Sequence, residues 1–143
     1  MWTATKYGFF STVRLITDDE ETEFVMIRAR RREHLERLKE RLPKKIGEAE
    51  ILRQPSSDYL FRVIAPLASW ASMSAHLAAE IDYPNFKNEA SAEFGFDDEY
   101  LSALHRVWSV FQAMEPARTL SQMDLLEYFP GPTESRGGNR GDH

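Results

Sequence analysis

The feature that most constrains this chain is a change of hydrophobic period just after Arg30. Before it, Phe24-Val25-Met26-Ile27-Arg28-Ala29 is an apolar, β-branched run of strand length. After it, Leu35, Leu38 and Leu42 recur three and four residues apart among charges, which predicts an amphipathic helix over Arg32–Leu42, stopped by Pro43. A helix that follows a strand this closely buries its apolar stripe on the sheet face. The same grammar recurs downstream. Ala49–Gln54 reads as a strand, Pro55-Ser56-Ser57-Asp58 as a turn, and Tyr59–Ala65 as another strand. Pro66 then suits the first turn of a helix running to about Ile81, because its missing N–H costs nothing there. Upstream, Trp2–Ile16 reads as one strand bulged at Gly8 or as two short strands, with the acidic run Thr17–Glu23 as the hairpin loop into Phe24–Ala29.

Laying Phe24–Ala29 over Leu60–Ala65 aligns strand with strand and helix with helix, a repeat in structure more than in letters. The predicted fold class is α+β: an antiparallel four- to five-stranded sheet from two β-β-α units, with additional C-terminal helices. Pro84 opens the first of these, ending near Gly95. Asp97 and Asp98 cap the next, which runs to Met114 with Leu101, Leu104, Trp108 and Phe111 as its stripe, widened by Val107 and Met114. The expected organisation is a single α+β domain over 1–115, a short helical extension over 116–129 and a disordered tail over 130–143, rich in Gly, Pro, Arg and Ser. The extension holds the amphipathic run Met123-Asp124-Leu125-Leu126-Glu127-Tyr128-Phe129, suited to docking on its own domain or on a partner.

Composition narrows the chemistry. The absence of cysteine excludes disulfides, thiolate metal sites and cysteine nucleophiles. No run approaches the roughly 18 apolar residues of a membrane span, and the N-terminus has no secretory pattern, so a cytoplasmic, non-membrane protein is expected. Phosphate-loop, dinucleotide and serine-hydrolase signatures are absent, which leaves catalysis without a motif. Charge is segregated. Half of the chain's 18 basic residues lie between Arg28 and Lys45, although the whole chain carries −5. Such a field orients an anionic partner even when total charge repels it.

Three stretches point further. Met1-Trp2-Thr3-x-Thr5-x-x-Gly8-Phe9-Phe10-Ser11-x-Val13, Ile27-Arg28-Ala29-Arg30, and Ile81-Asp82-Tyr83-x-Asn85-Phe86-Lys87 followed by Val107-Trp108 together resemble a group of small bacterial proteins without an assigned activity. The resemblance covers about Met1–Met114 and leaves out the acidic loop and the tail. It implies a self-contained bacterial or phage-borne cytoplasmic domain and lends no catalytic residues.

The candidate binding residues are Arg28, Arg30, Arg31, Arg37, Arg41 and Arg62. On a strand, Arg28 and Arg30 project from one face, and if Arg62 lies opposite, three planar guanidinium groups converge on a carboxylate or phosphate. Glu23, Glu48, Glu50 and Asp58 are the internal acids near enough in sequence to neutralise them. On the helix, Arg32/Glu36, Glu33/Arg37 and Glu40/Lys44 have pairing spacing, so part of this charge is an ordinary solvated face. The expected function is therefore non-enzymatic binding or regulation. The expected partner is an acidic protein surface, favoured over a nucleic-acid backbone because the chain as a whole is acidic. A second reading is a small hydrolase or nuclease-like enzyme using Asp82, Lys87 and His105 for acid–base chemistry. A third is self-association, as a homodimer, through an open sheet edge. His76 and Glu80 have chelating spacing but no third ligand in register, so neither a metal nor a cofactor is expected. The aromatics Trp2, Tyr7, Phe9 and Phe10 read mainly as core, with Phe9 and Phe10 on opposite faces.

Overall fold

A computed structural model describes residues 1–16, 23–94 and 98–114. The chain divides into two compact units, Met1–Arg106 and Val107–His143. The first unit contains a five-stranded antiparallel sheet in the order β1-β2-β3-β5-β4, with β1 at Trp2–Thr5, β2 at Gly8–Leu15, β3 at Phe24–Ala29, β4 at Leu52–Arg53 and β5 at Phe61–Pro66. Helices α1 (Arg32–Arg41) and α2 (Pro43–Ile46) follow β3, α3 (Leu67–Ala79) follows β5, and α4 (Phe86–Phe94) and α5 (Asp98–Gln112) come last. The α+β class and the β2-β3-α1 and β4-β5-α3 units are those the sequence pattern predicts. The expected extension over 116–129, the tail over 130–143 and most of the acidic loop lie outside the described residues.

Local chemistry sets the element boundaries. Of the two readings of the first fifteen residues, two short strands is the one observed: they form a hairpin because the Thr5 hydroxyl accepts the Tyr7 N–H at 3.1 Å and donates to the Gly8 carbonyl at 3.1 Å, folding the chain back at Lys6-Tyr7. Pro43 ends α1 and also opens α2, as the first-turn position of proline allows. Pro66 closes β5 and precedes α3, whose first N–H, on Leu67, donates to the Glu23 carbonyl at 2.7 Å. The strand expected over Ala49–Gln54 contracts to Leu52–Arg53, the two residues that pair with Arg62 and Phe61.

The main core lies between one sheet face and helices α1 to α3. Phe10, Val25, Ile27, Ala29, Val63 and Ala65 point into it, alternating along their strands, and meet Leu35, Leu38, Ile46, Trp70 and Met73. Each fully buried Leu or Met here contributes about 1.5–3 kcal/mol. A second cluster, of Ala90, Phe94, Tyr100 and Leu104 with Phe9 packed against it, uses the opposite face of β2. Phe9 and Phe10 thus serve two separate cores. On that opposite face Met26, Arg28, Arg62 and Ile64 belong to neither cluster. In the second unit the end of α5 is described, with Val107, Trp108, Val110, Phe111 and Met114 all exposed.

His34 joins the two cores. Its Nδ1 accepts the Phe9 N–H at 3.3 Å, and its ring is ringed edge-on by Phe10, Phe94 and Tyr100 at 4.8 to 6.4 Å between centroids. Gly8, at φ +147°, makes room, since a Cβ there would stand 2.5 Å from His34 Cγ. Burial, and secondarily the nearby Arg31 charge, pull the His34 pKa down to about 4. The Tyr100 hydroxyl, raised above its ordinary value by burial, donates to the Thr5 carbonyl at 2.9 Å.

Candidate functional site

Antiparallel register places Arg28 of β3 directly opposite Arg62 of β5, and Arg30, two residues past Arg28, extends the same face. The turn before β5 brings Tyr59 beneath them, its N–H donating to Ser57 Oγ at 3.3 Å. Tyr59 is 4% exposed, and the Arg28 and Arg30 guanidinium carbons stand 4.9 and 4.7 Å from its ring centroid. Cation–π attraction at these distances offsets part of the repulsion between the two cations.

The hydrogen bonds of this group go to neutral acceptors. Arg28 donates from Nη2 to Ser11 Oγ at 2.8 Å and from Nε to the Ser11 carbonyl at 3.4 Å. Arg30 donates to the Asp58 carbonyl at 2.9 Å, and Arg62 to the Tyr59 carbonyl at 3.2 Å and the Met26 sulfur at 3.7 Å. Arg62 Nε is buried without a partner. Among the described residues, no carboxylate lies within 4.0 Å of any of the three side chains. Glu23 pairs with Arg14 at 2.6 Å, Asp58 offers Arg30 its main chain, and Glu48 and Glu50 reach none of them.

The helical arginines are handled differently. Arg31 lies 3.6 Å from Glu33 and 3.3 Å from Glu99, and Arg41 lies 2.6 Å from Glu80. Arg37 sits 3.6 Å from Glu93 and 4.1 Å above the Phe94 ring. Of the three i,i+4 pairs the sequence spacing offers, Arg32–Glu36 forms at 2.7 Å, whereas Glu33 and Arg37 take other partners. The structure thus brings Arg28, Arg30 and Arg62 together and sets Arg31, Arg37 and Arg41 against carboxylates. Sequence reasoning missed Tyr59 and Ser11, whose places depend on a turn and a cross-strand register.

The remaining candidates fall as follows. Asp82 is exposed in the loop after α3, Lys87 lies on the first turn of α4, and His105 is exposed on α5. The Glu80 carboxylate accepts the Tyr7 hydroxyl at 2.6 Å as well as Arg41, while His76 Nδ1 stands 3.0 Å from the Ser72 carbonyl. Among the described residues no three His, Cys, Asp or Glu side chains gather into a metal-binding group. No described helix is long and apolar enough to cross a membrane. A cavity of about 350 Å³ lies along β1, walled by Thr3, Ser74, Leu77, Ala78, Ile81 and Tyr83 among others. Asp82, Lys87 and His105 do not line it. No family model, curated protein or solved structure matches the chain.

Proposed function

We propose that this chain is a binding protein that docks an acidic, partly apolar segment of a protein partner on the face of β3 and β5 turned away from the main core, with Arg28, Arg30 and Arg62 receiving its carboxylates. The observation that carries the reading is the set of three guanidinium groups on one face whose hydrogen bonds all go to neutral acceptors. Guanidinium groups take carboxylates in charge-assisted, often bidentate bonds roughly twice as strong as neutral ones. A partner carboxylate would also remove the repulsion between cross-strand cations.

A protein segment suits this face better than a nucleic acid. Leu52 and Ile64, each 37% exposed, flank the arginines and offer contact to apolar side chains that a phosphate backbone lacks. The chain's net charge of −5 opposes a long polyanion such as a nucleic-acid backbone over more of its length than a short acidic segment confined to this face. Titration with a labelled peptide of alternating Glu and Leu, beside a single-stranded oligonucleotide of equal charge, tests the reading. Preferential, salt-sensitive binding of the peptide supports it. Tighter binding of the oligonucleotide replaces it with the nucleic-acid alternative, and binding of neither removes it.

A further inference from the structure

The β1 edge has a pairing logic of its own, independent of the arginine site. Met1 and Thr12 exchange both main-chain hydrogen bonds, at 2.7 and 2.8 Å. Such pairs alternate along an antiparallel ladder, so Thr3 and Thr5 also bond inward to β2, through Phe10 and Gly8. The N–H and C=O groups of Trp2 and Ala4 therefore point outward, away from the sheet. Beside them, Thr3 Oγ1 is buried with no hydrogen-bond partner, and so is Ser74 Oγ across the cavity. Trp2 is 72% exposed on the other face, its ring edge-on to Phe9 at 5.7 Å. An edge strand with outward amides and an exposed indole is incomplete as it stands.

We infer that a second copy of this chain completes it, pairing β1 with β1 antiparallel about a two-fold axis at Thr3. In that register Trp2 of each copy exchanges both main-chain hydrogen bonds with Ala4 of the other, using all four outward groups. Thr3 meets its own counterpart as a non-hydrogen-bonded pair, about 4.5 Å between Cα atoms. On the open face each indole stands beside the small Ala4 of the second copy, so large meets small twice, as an isologous contact requires. On the helix side Met1 of the second copy falls opposite Thr5, at the mouth of the cavity walled by Ser74, Leu77 and Ala78. The strand is self-complementary in size, in hydrogen-bonding sense and at its centre. An unrelated peptide would satisfy the outward amides without setting a small residue beside each indole. The two sheets become one continuous sheet.

The area sets the strength. Specific interfaces bury about 1,200–2,000 Å² in total, and a four-residue strand with one indole from each copy lies at the small end, so the dimer dissociates on dilution. Sedimentation equilibrium of the full chain, from low micromolar to several hundred micromolar, is expected to show a mass rising from monomer toward dimer. Ala4→Pro deletes an amide that β2 does not use, at an edge position where proline is tolerated. Because that bond occurs twice per dimer, association should weaken at least about tenfold, with the β-sheet circular dichroism unchanged. Trp2→Asp, at an exposed position, provides the same reading should Ala4→Pro misfold. A mass that stays monomeric throughout overturns the inference, and so does undiminished association of a folded Ala4→Pro or Trp2→Asp chain.

Discussion

Arg28 and Arg62 are direct cross-strand partners, two like charges side by side on adjacent strands with no described carboxylate within ion-pair distance of either. Like charges in that position destabilise a sheet. The fold tolerates the pair by laying Arg28 on Tyr59 and Ser11 and Arg62 against the Tyr59 carbonyl and Met26. An arrangement that weakens the free protein and strengthens its hold on an anion separates stability from binding, and the two can be measured apart.

Arg62→Met keeps the side chain's apolar length while removing the buried, unpaired Nε and the repulsion with Arg28. Replacing an uncompensated buried polar group by an apolar one is neutral or stabilising, so urea unfolding should show no loss and a gain of up to about 1 kcal/mol. Binding of the Glu-Leu peptide should fall in the same variant. A clear loss of stability would mean that Arg62 is held for structure.

Tyr59→Leu leaves every cation in place and removes the ring under two of them. The aromatic face is worth about 0.5–2 kcal/mol to a cation. The variant should bind the acidic peptide several-fold more weakly with an unchanged salt dependence, because the number of charges is the same. A flattened salt dependence would show that Tyr59 does more than position the arginines.

His34 links stability to acidity. Its folded pKa, about 4, lies below its ordinary 6.5, so between these values the unfolded chain binds the extra proton. The stability this gives is fully present above about pH 6.5 and is lost as the pH falls toward 4, on the order of 3 kcal/mol in all. Denaturant unfolding at neutral pH and near pH 4.5 should show that loss in the parent and less of it in His34→Asn. Equal losses in both would assign the acid sensitivity to other groups.

Gly8→Ala sets a Cβ 2.5 Å from His34 Cγ at a φ of +147°. Backbone strain and overpacking together should cost more than about 2 kcal/mol. Combining it with His34→Ala should recover the overpacking share and leave the strain, a coupling that a double-mutant cycle reads directly.

Much of this architecture was legible because it rests on local pattern. The α1 helix follows the Leu35, Leu38 and Leu42 spacing, and the strands β3 and β5 follow their apolar runs. Convergence of Arg28 and Arg62 was legible only as a condition, since it needs β3 and β5 to be neighbours in one particular register. The fate of the helical charges was not legible. Helical spacing offers Glu33 to Arg37, yet Arg37 reaches Glu93 and Arg41 reaches Glu80, partners far along the chain that only tertiary packing delivers. Tyr59 was hidden for a similar reason. It lies where a strand was expected to begin, but β5 starts at Phe61, and the turn before it turns the ring toward β3.

The most direct test compares two charge-matched double variants in the same peptide titration. Arg28→Gln/Arg62→Gln and Arg31→Gln/Arg37→Gln each remove two cations, the first pair from the face without carboxylates and the second from side chains with acidic partners. At low salt the first should abolish binding of the Glu-Leu peptide while the second leaves it within about twofold of the parent, and high salt should erase the difference. Equal effects of the two variants, or retained binding in Arg28→Gln/Arg62→Gln, would contradict an anion-docking role for this face.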